Sequence, residues 1–170
     1  MSVSLQTHGA VLFRNRGLIL AGVACLALAL AHPSYESLAF AFLPLSIGVF
    51  LRSWAFVYLG TTGRTRNPSG PKLRTVGGPY RWLAHPVYAS NVVIACALLC
   101  AASPGFYRSV FFLGLVIALY CVLGIRESLQ WSGREGTRGE RLLSMPELAR
   151  SERSTWVQLA AFLFVLLLKV

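Results

Sequence analysis

Five long apolar stretches, parted by connections that carry nearly all of the charge, constrain this chain more than any other feature. They cover about 12–31, 38–59, 84–102, 106–125 and 154–170. All are rich in Leu and Ala and lack period-two alternation, so each predicts a helix rather than a strand. A bilayer core about 30 Å thick takes roughly 20 helical residues. The second and fourth stretches meet that length, while the third and fifth need tilt or flanking residues.

Composition sharpens the reading. Hydrophobic residues make up 55% of the 170, charged residues only 13%, and the net charge is +10. Ordinary soluble domains carry about a quarter charged residues. A soluble domain of this size cannot bury so much apolar surface, and a nucleic-acid binder has no use for unbroken apolar runs. Disorder, a secreted disulfide scaffold and an ordinary cytosolic enzyme are disfavoured on the same grounds. The expected fold is all-α: a single polytopic membrane helical bundle over residues 1–170, with about five transmembrane helices.

Charge sets the expected orientation. With a cytoplasmic N-terminus, Arg14 and Arg16 lie inside, as do the connections holding Arg64, Arg66, Lys72, Arg74 and Arg81 and, over 126–153, Arg126, Arg134, Arg138, Arg141, Arg150 and Arg153. That places 13 of the 16 basic residues on one side, which the positive-inside rule makes cytoplasmic. The first stretch has a second reading, because Arg14 and Arg16, an apolar run and Ala29-Leu30-Ala31 also resemble a secretory leader. We take it as a span. The outer loops are short, so chemistry is expected within the membrane or at the cytoplasmic face.

Three features bear on that chemistry. The stretch from Gly77 to Tyr88 opens with Gly77-Gly78-Pro79, a turn whose bare backbone admits a close ligand. It continues to His85-Pro86, a helix start, with Tyr88 three residues on and therefore on the same face as His85. An aromatic belt of Tyr80, Trp82 and Tyr88 at the headgroups explains the same residues without function. Arg126-Glu127 closes the fourth stretch, and a hairpin between the third and fourth brings Glu127 to the depth of His85. An acid beside a span is costly unless paired, which makes it a site candidate, although an ion pair at the interface is the plainer reading. Arg52 falls late in the second stretch, either snorkelling to the surface or turned inward toward a carboxylate or phosphate. Cys25, Cys96, Cys100 and Cys121 lack His or acidic neighbours at their depth and read as small packing residues, with no metal site. The segment 132–153, basic with scattered leucines, reads as an amphipathic helix on anionic headgroups or as a cover over the cytoplasmic opening.

Gly78-Pro79-Tyr80-Arg81 with His85-Pro86-x-Tyr88 resembles the GPYRxxRHPxY signature of the isoprenylcysteine carboxyl methyltransferase and phospholipid methyltransferase superfamily. Gly48, Leu51-Arg52, Trp54-Ala55 and Leu59-Gly60 resemble its preceding helix, and Met145-Pro146 a Val-Pro near its end. The resemblance covers about 48–146 and departs at Ala84, at Ser128 and over 131–136. It implies S-adenosylmethionine bound at the cytoplasmic helix ends by Gly78, Tyr80, Arg81, His85, Pro86, Tyr88 and Glu127. His85 and Tyr88 would face the cofactor's carboxylate and Glu127 its ammonium, with Glu127 and Arg52 serving catalysis. The implied function is a membrane methyltransferase acting on a lipidic, prenylated or otherwise apolar acceptor, with no nucleic-acid partner. Two alternatives stand beside it: a catalytically inactive relative that serves as a membrane assembly or lipid-binding module, and an NADPH-dependent membrane reductase using Arg64, Arg66, Lys72 and Arg74.

Overall fold

The computed structural model describes the backbone of residues 3–59, 72–74, 77–129, 131–135 and 143–170, and the side chains of 14–59, 77–129 and 143–170. Among these residues the chain is helical apart from one short ladder. Helix α1 is Val3–Ala29, α2 is Tyr35–Leu59, α3 is Pro86–Ala102, α4 is Phe106–Leu129 and α5 is Met145–Leu167, with a 3-10 turn over Gly78–Arg81 before α3. Strands β1 (Lys72–Arg74) and β2 (Trp131–Glu135) pair in parallel, a pairing not expected from the sequence. Each follows a helix, α2 or α4, and those two helices end together at one side of the bundle; α3 and α4 supply the crossover that parallel pairing needs.

The helices alternate in direction, as the contacts at their ends establish. At one end the His32 N–H donates to the Ala102 carbonyl, Ser37 Oγ to the Ala101 carbonyl at 3.0 Å, and Lys169 Nζ to the Leu28 carbonyl at 2.6 Å. These bonds gather the ends of α1, α3 and α5 with the start of α2. At the other end His85 meets Ser128, and the Leu143 N–H donates to the Val57 carbonyl. The start of α3, the end of α4 and the approach to α5 therefore share that side.

Helix bounds differ from the apolar stretches in an instructive way. α4 runs on through Arg126 and Glu127 to Leu129, and α5 starts at Met145, well before its apolar part. Hydropathy marks where a helix turns apolar, while backbone signals mark where it begins. At α5 the signals are Pro146 in the first turn and Ser144, whose N–H and Oγ donate to Glu147 Oε2 at 2.9 and 2.7 Å. Part of the expected 126–153 connection is thus helix continuous with the last apolar stretch.

Packing uses small residues. Ala31, Ala41, Ala101 and Ala102 are buried around Phe162 and Leu166 at the first end. A second cluster of Val116, Leu119, Tyr120 and Leu123 lies nearer the other end. Gly48 lets α2 and α3 approach, since a β-carbon there would come within 2.8 Å of Ile94. The outside is apolar as well: Phe40, Phe42, Phe50, Phe111, Ile125 and Phe164 each keep more than half of their surface exposed. α2 and α4 are long and apolar enough to cross a membrane, and only 22% and 33% of their most apolar windows are buried.

Candidate functional site

The end of the bundle that carries His85 is built by two helix faces. His85 caps α3, and Tyr88 and Asn91 follow at intervals of three, so the three share a stripe running about 9 Å into the bundle. From α4, Tyr120, Gly124 and Glu127 recur at helical spacing with Ser128 beside them. The faces meet at His85. Its Nδ1 lies 3.5 Å from Glu127 Oε2, and its Nε2 lies 2.9 Å from Ser128 Oγ. One tautomer satisfies both contacts, with Nδ1–H directed at the carboxylate and Nε2 accepting from the serine hydroxyl. Gly124 makes room for the imidazole, because a β-carbon there would sit 3.3 Å from His85 Cδ2.

Aromatic rings carry the stripe inward. Tyr88 stacks on His85 with centroids 5.4 Å apart and on Tyr120 with centroids 5.3 Å apart. The Tyr88 hydroxyl neighbours the Glu127 carboxylate, and that of Tyr120 neighbours Asn91. Tyr80, from the 3-10 turn, is buried, and its hydroxyl has no hydrogen-bond partner among the described residues. Burial, with the neighbouring Glu127 carboxylate, pushes that hydroxyl above the ordinary phenol range. A buried donor without an acceptor costs roughly 1–3 kcal/mol, so the Tyr80 hydroxyl is the group here with capacity for a ligand.

The expected residues divide. His85, Tyr88, Glu127 and Tyr80 come together, and Pro86 is buried as the first residue of α3. Arg81 is exposed. Gly77 and Gly78 meet a ring of the chain itself. The Tyr58 ring lies against them: a β-carbon on Gly77 would come within 2.8 Å of it, and one on Gly78 within 2.6 Å. Gly78 also has φ +53°, a conformation that costs other residues about 1–2 kcal/mol. Gly78→Ala is expected to lower the melting temperature, with Tyr58→Ala in the same chain relieving the collision but not the backbone strain. A Gly78→Ala protein as stable as the parent in thermal unfolding would contradict this packing.

Arg52 belongs to a separate cluster. Its Nε donates to Glu152 Oε2 at 2.6 Å, its Nη1 to Asn91 Oδ1 and its Nη2 to Thr155 Oγ1 at 3.2 Å, and its guanidinium carbon lies 5.0 Å from the Phe56 ring centroid. The Arg52 side chain is 12% exposed and that of Glu152 1%. The carboxylate that Arg52 meets is therefore the chain's own. Asn91 and Tyr120 link this cluster to the His85 stripe.

Sequence reasoning did not pair Glu152 or Thr155 with Arg52, nor assign roles to Gly124, Tyr120 or Tyr58. Glu152 had a usable signal: it is an acid close to the start of an apolar stretch, a costly position that asks for a cation. The side chains of Arg64, Arg66, Lys72 and Arg74, invoked for a nicotinamide cofactor's phosphate, lie outside the described residues. No protein-family model, curated protein or solved structure matches this chain.

Proposed function

We propose that the chain is an integral membrane protein of about five spans, with its N-terminus and the His85–Glu127 end on the cytoplasmic side. We further propose that this end binds S-adenosylmethionine for methyl transfer to a lipidic or apolar acceptor. The membrane reading draws support from the apolar exterior and from the rings Tyr35, Phe106 and Tyr107 at one end and Trp82 at the other, all largely exposed, as an interfacial belt requires. The site reading rests on one observation: a buried Tyr80 hydroxyl without a partner among the described residues, near a carboxylate that meets His85 and neighbours Tyr88.

These residues suit the polar end of such a cofactor. Glu127, 31% exposed, would pair with an ammonium, and Tyr80 would donate to an acceptor oxygen. His85 would act by orienting Glu127, since both of its ring nitrogens already face protein groups. When bound, the cofactor supplies an electrophilic methyl group on a cationic sulfur. The chain then has to align the acceptor and keep water away, which is catalysis by positioning. A carboxylate or thiolate acceptor needs no base. An amine must lose a proton, and Glu127 is the carboxylate placed to take it.

A second reading has its own observations. Ser128 occupies His85 Nε2, and Tyr58 fills the Gly77–Gly78 approach. Both close off places a ligand would use, as in a relative that keeps the bundle and has lost transfer. One titration separates the readings. Detergent-solubilised protein should melt at higher temperature as S-adenosylhomocysteine is added and stay unchanged with NADPH. A flat response to the former removes the methyltransferase reading, and a rise with NADPH alone replaces it with the reductase.

A further inference from the structure

α5 has two faces with different duties. At 100° per residue, Leu148, Glu152, Thr155, Phe162 and Leu166 fall on one side, and these are its buried or Arg52-bonded residues. Arg150, Arg153, Ser154 and Val157 fall on the opposite side, directed away from the bundle, with Gln158 on its flank. Together these five residues line a shallow, open groove on the surface of this one helix. Among the described residues no carboxylate is paired with either guanidinium: Glu152 is turned inward onto Arg52, and Glu147 is engaged with Ser144.

The groove lies where the helix changes character. Before it come Glu147, Arg150, Glu152 and Arg153, and after Trp156 the helix is apolar to its end except for Gln158. Arg52, on a level with Glu152, sits seven residues before the end of α2, about 10 Å from that end. Two guanidiniums, a hydroxyl and an amide therefore lie together on one outward surface at the depth where polar gives way to apolar, and Val157 continues it on the apolar side.

We infer that this groove is a binding site for one anionic phospholipid, its phosphate held between Arg150 and Arg153 and its acyl chain lying past Val157. Guanidinium recognises phosphate through paired donors, and an outward face at this depth meets lipid rather than solute. The inference rests on the membrane reading above and is independent of methyl transfer.

The test compares phosphatidylglycerol with phosphatidylcholine, each titrated into detergent-solubilised protein while its melting temperature is followed. Phosphatidylglycerol should bind more tightly. Each basic residue at an anionic surface is worth about fivefold, so Arg150→Gln/Arg153→Gln should lose up to roughly 25-fold of the preference, whereas Arg150→Lys/Arg153→Lys, which keeps the charge but not the paired donors, should lose less. Arg108→Gln, at the far end of the bundle, should keep it all. Equal binding of the two lipids, or a preference that survives the glutamine pair, overturns the site. So does glycerol phosphate competing as well as the lipid, which would mark a soluble-anion site. Should the glutamine pair not fold, a salt series on the parent decides: the preference must fall as salt rises, and one indifferent to salt overturns the proposal. Release of the protein from membranes by an alkaline wash defeats the membrane reading itself, a result separate from loss of lipid preference in a chain that stays embedded.

Discussion

Glu152→Leu alone should lower stability by about 3–5 kcal/mol, because it leaves the Arg52 charge buried without its counter-ion. Asn91 and Thr155 can keep their hydrogen bonds to the guanidinium, but neither carries charge. Arg52→Met should cost a comparable amount by stranding Glu152, which is almost wholly enclosed. Replacing both, in Arg52→Met/Glu152→Leu, should recover most of the loss, since neither desolvated charge remains to be offset. The measurement is a double-mutant cycle by thermal unfolding in detergent. Single variants that lose less than about 1 kcal/mol would put the pair in the class of solvent-exposed ion pairs. The pair ties α5 to α2 and, through Asn91, to α3, so both single variants should also loosen the seating of α5.

Removing charge at the other cluster should act on binding more than on folding. Glu127→Gln is expected to weaken S-adenosylhomocysteine about 10- to 100-fold, the range for one hydrogen bond to a charged group, with little change in the melting temperature of the free protein. Tyr80→Phe should divide the two effects further. Deleting an unpartnered buried hydroxyl relieves a desolvation cost, so the free protein should be as stable as the parent or more so, while ligand binding weakens. If Tyr80→Phe destabilises the free protein and leaves binding untouched, the hydroxyl has a structural role and the proposed site loses its main support.

The bundle was legible because apolar length is a local property. Runs such as 38–59 and 106–125 need no partner to announce a helix, and Pro86 announces the start of α3 by itself. The meeting of His85 with Glu127 was legible for a related reason: a short hairpin joins α3 and α4, so residues at the hairpin's open end share a level. The role of Gly77–Gly78 was less so. A bare backbone signals that something comes close without naming it, and the ring of Tyr58 is one such neighbour.

The parallel ladder of Lys72–Arg74 with Trp131–Glu135 and the pairing of Arg52 with Glu152 join residues far apart along the chain. No periodicity encodes such partners; they depend on which helices lie side by side and in what rotation. Apolar length, the sign and placement of charge, and the Gly78–Tyr88 motif were determined by the sequence alone, because each is a property of neighbouring residues. The inward turn of Glu152, the outward turn of Arg150 and Arg153, the closure of His85 by Ser128 and the isolation of the Tyr80 hydroxyl were decided only by the tertiary structure. The physical reason is shared: in a bundle with apolar outside and apolar inside, hydrophobicity does not say which face of a helix is buried, and polar side chains must find one another before the faces are assigned.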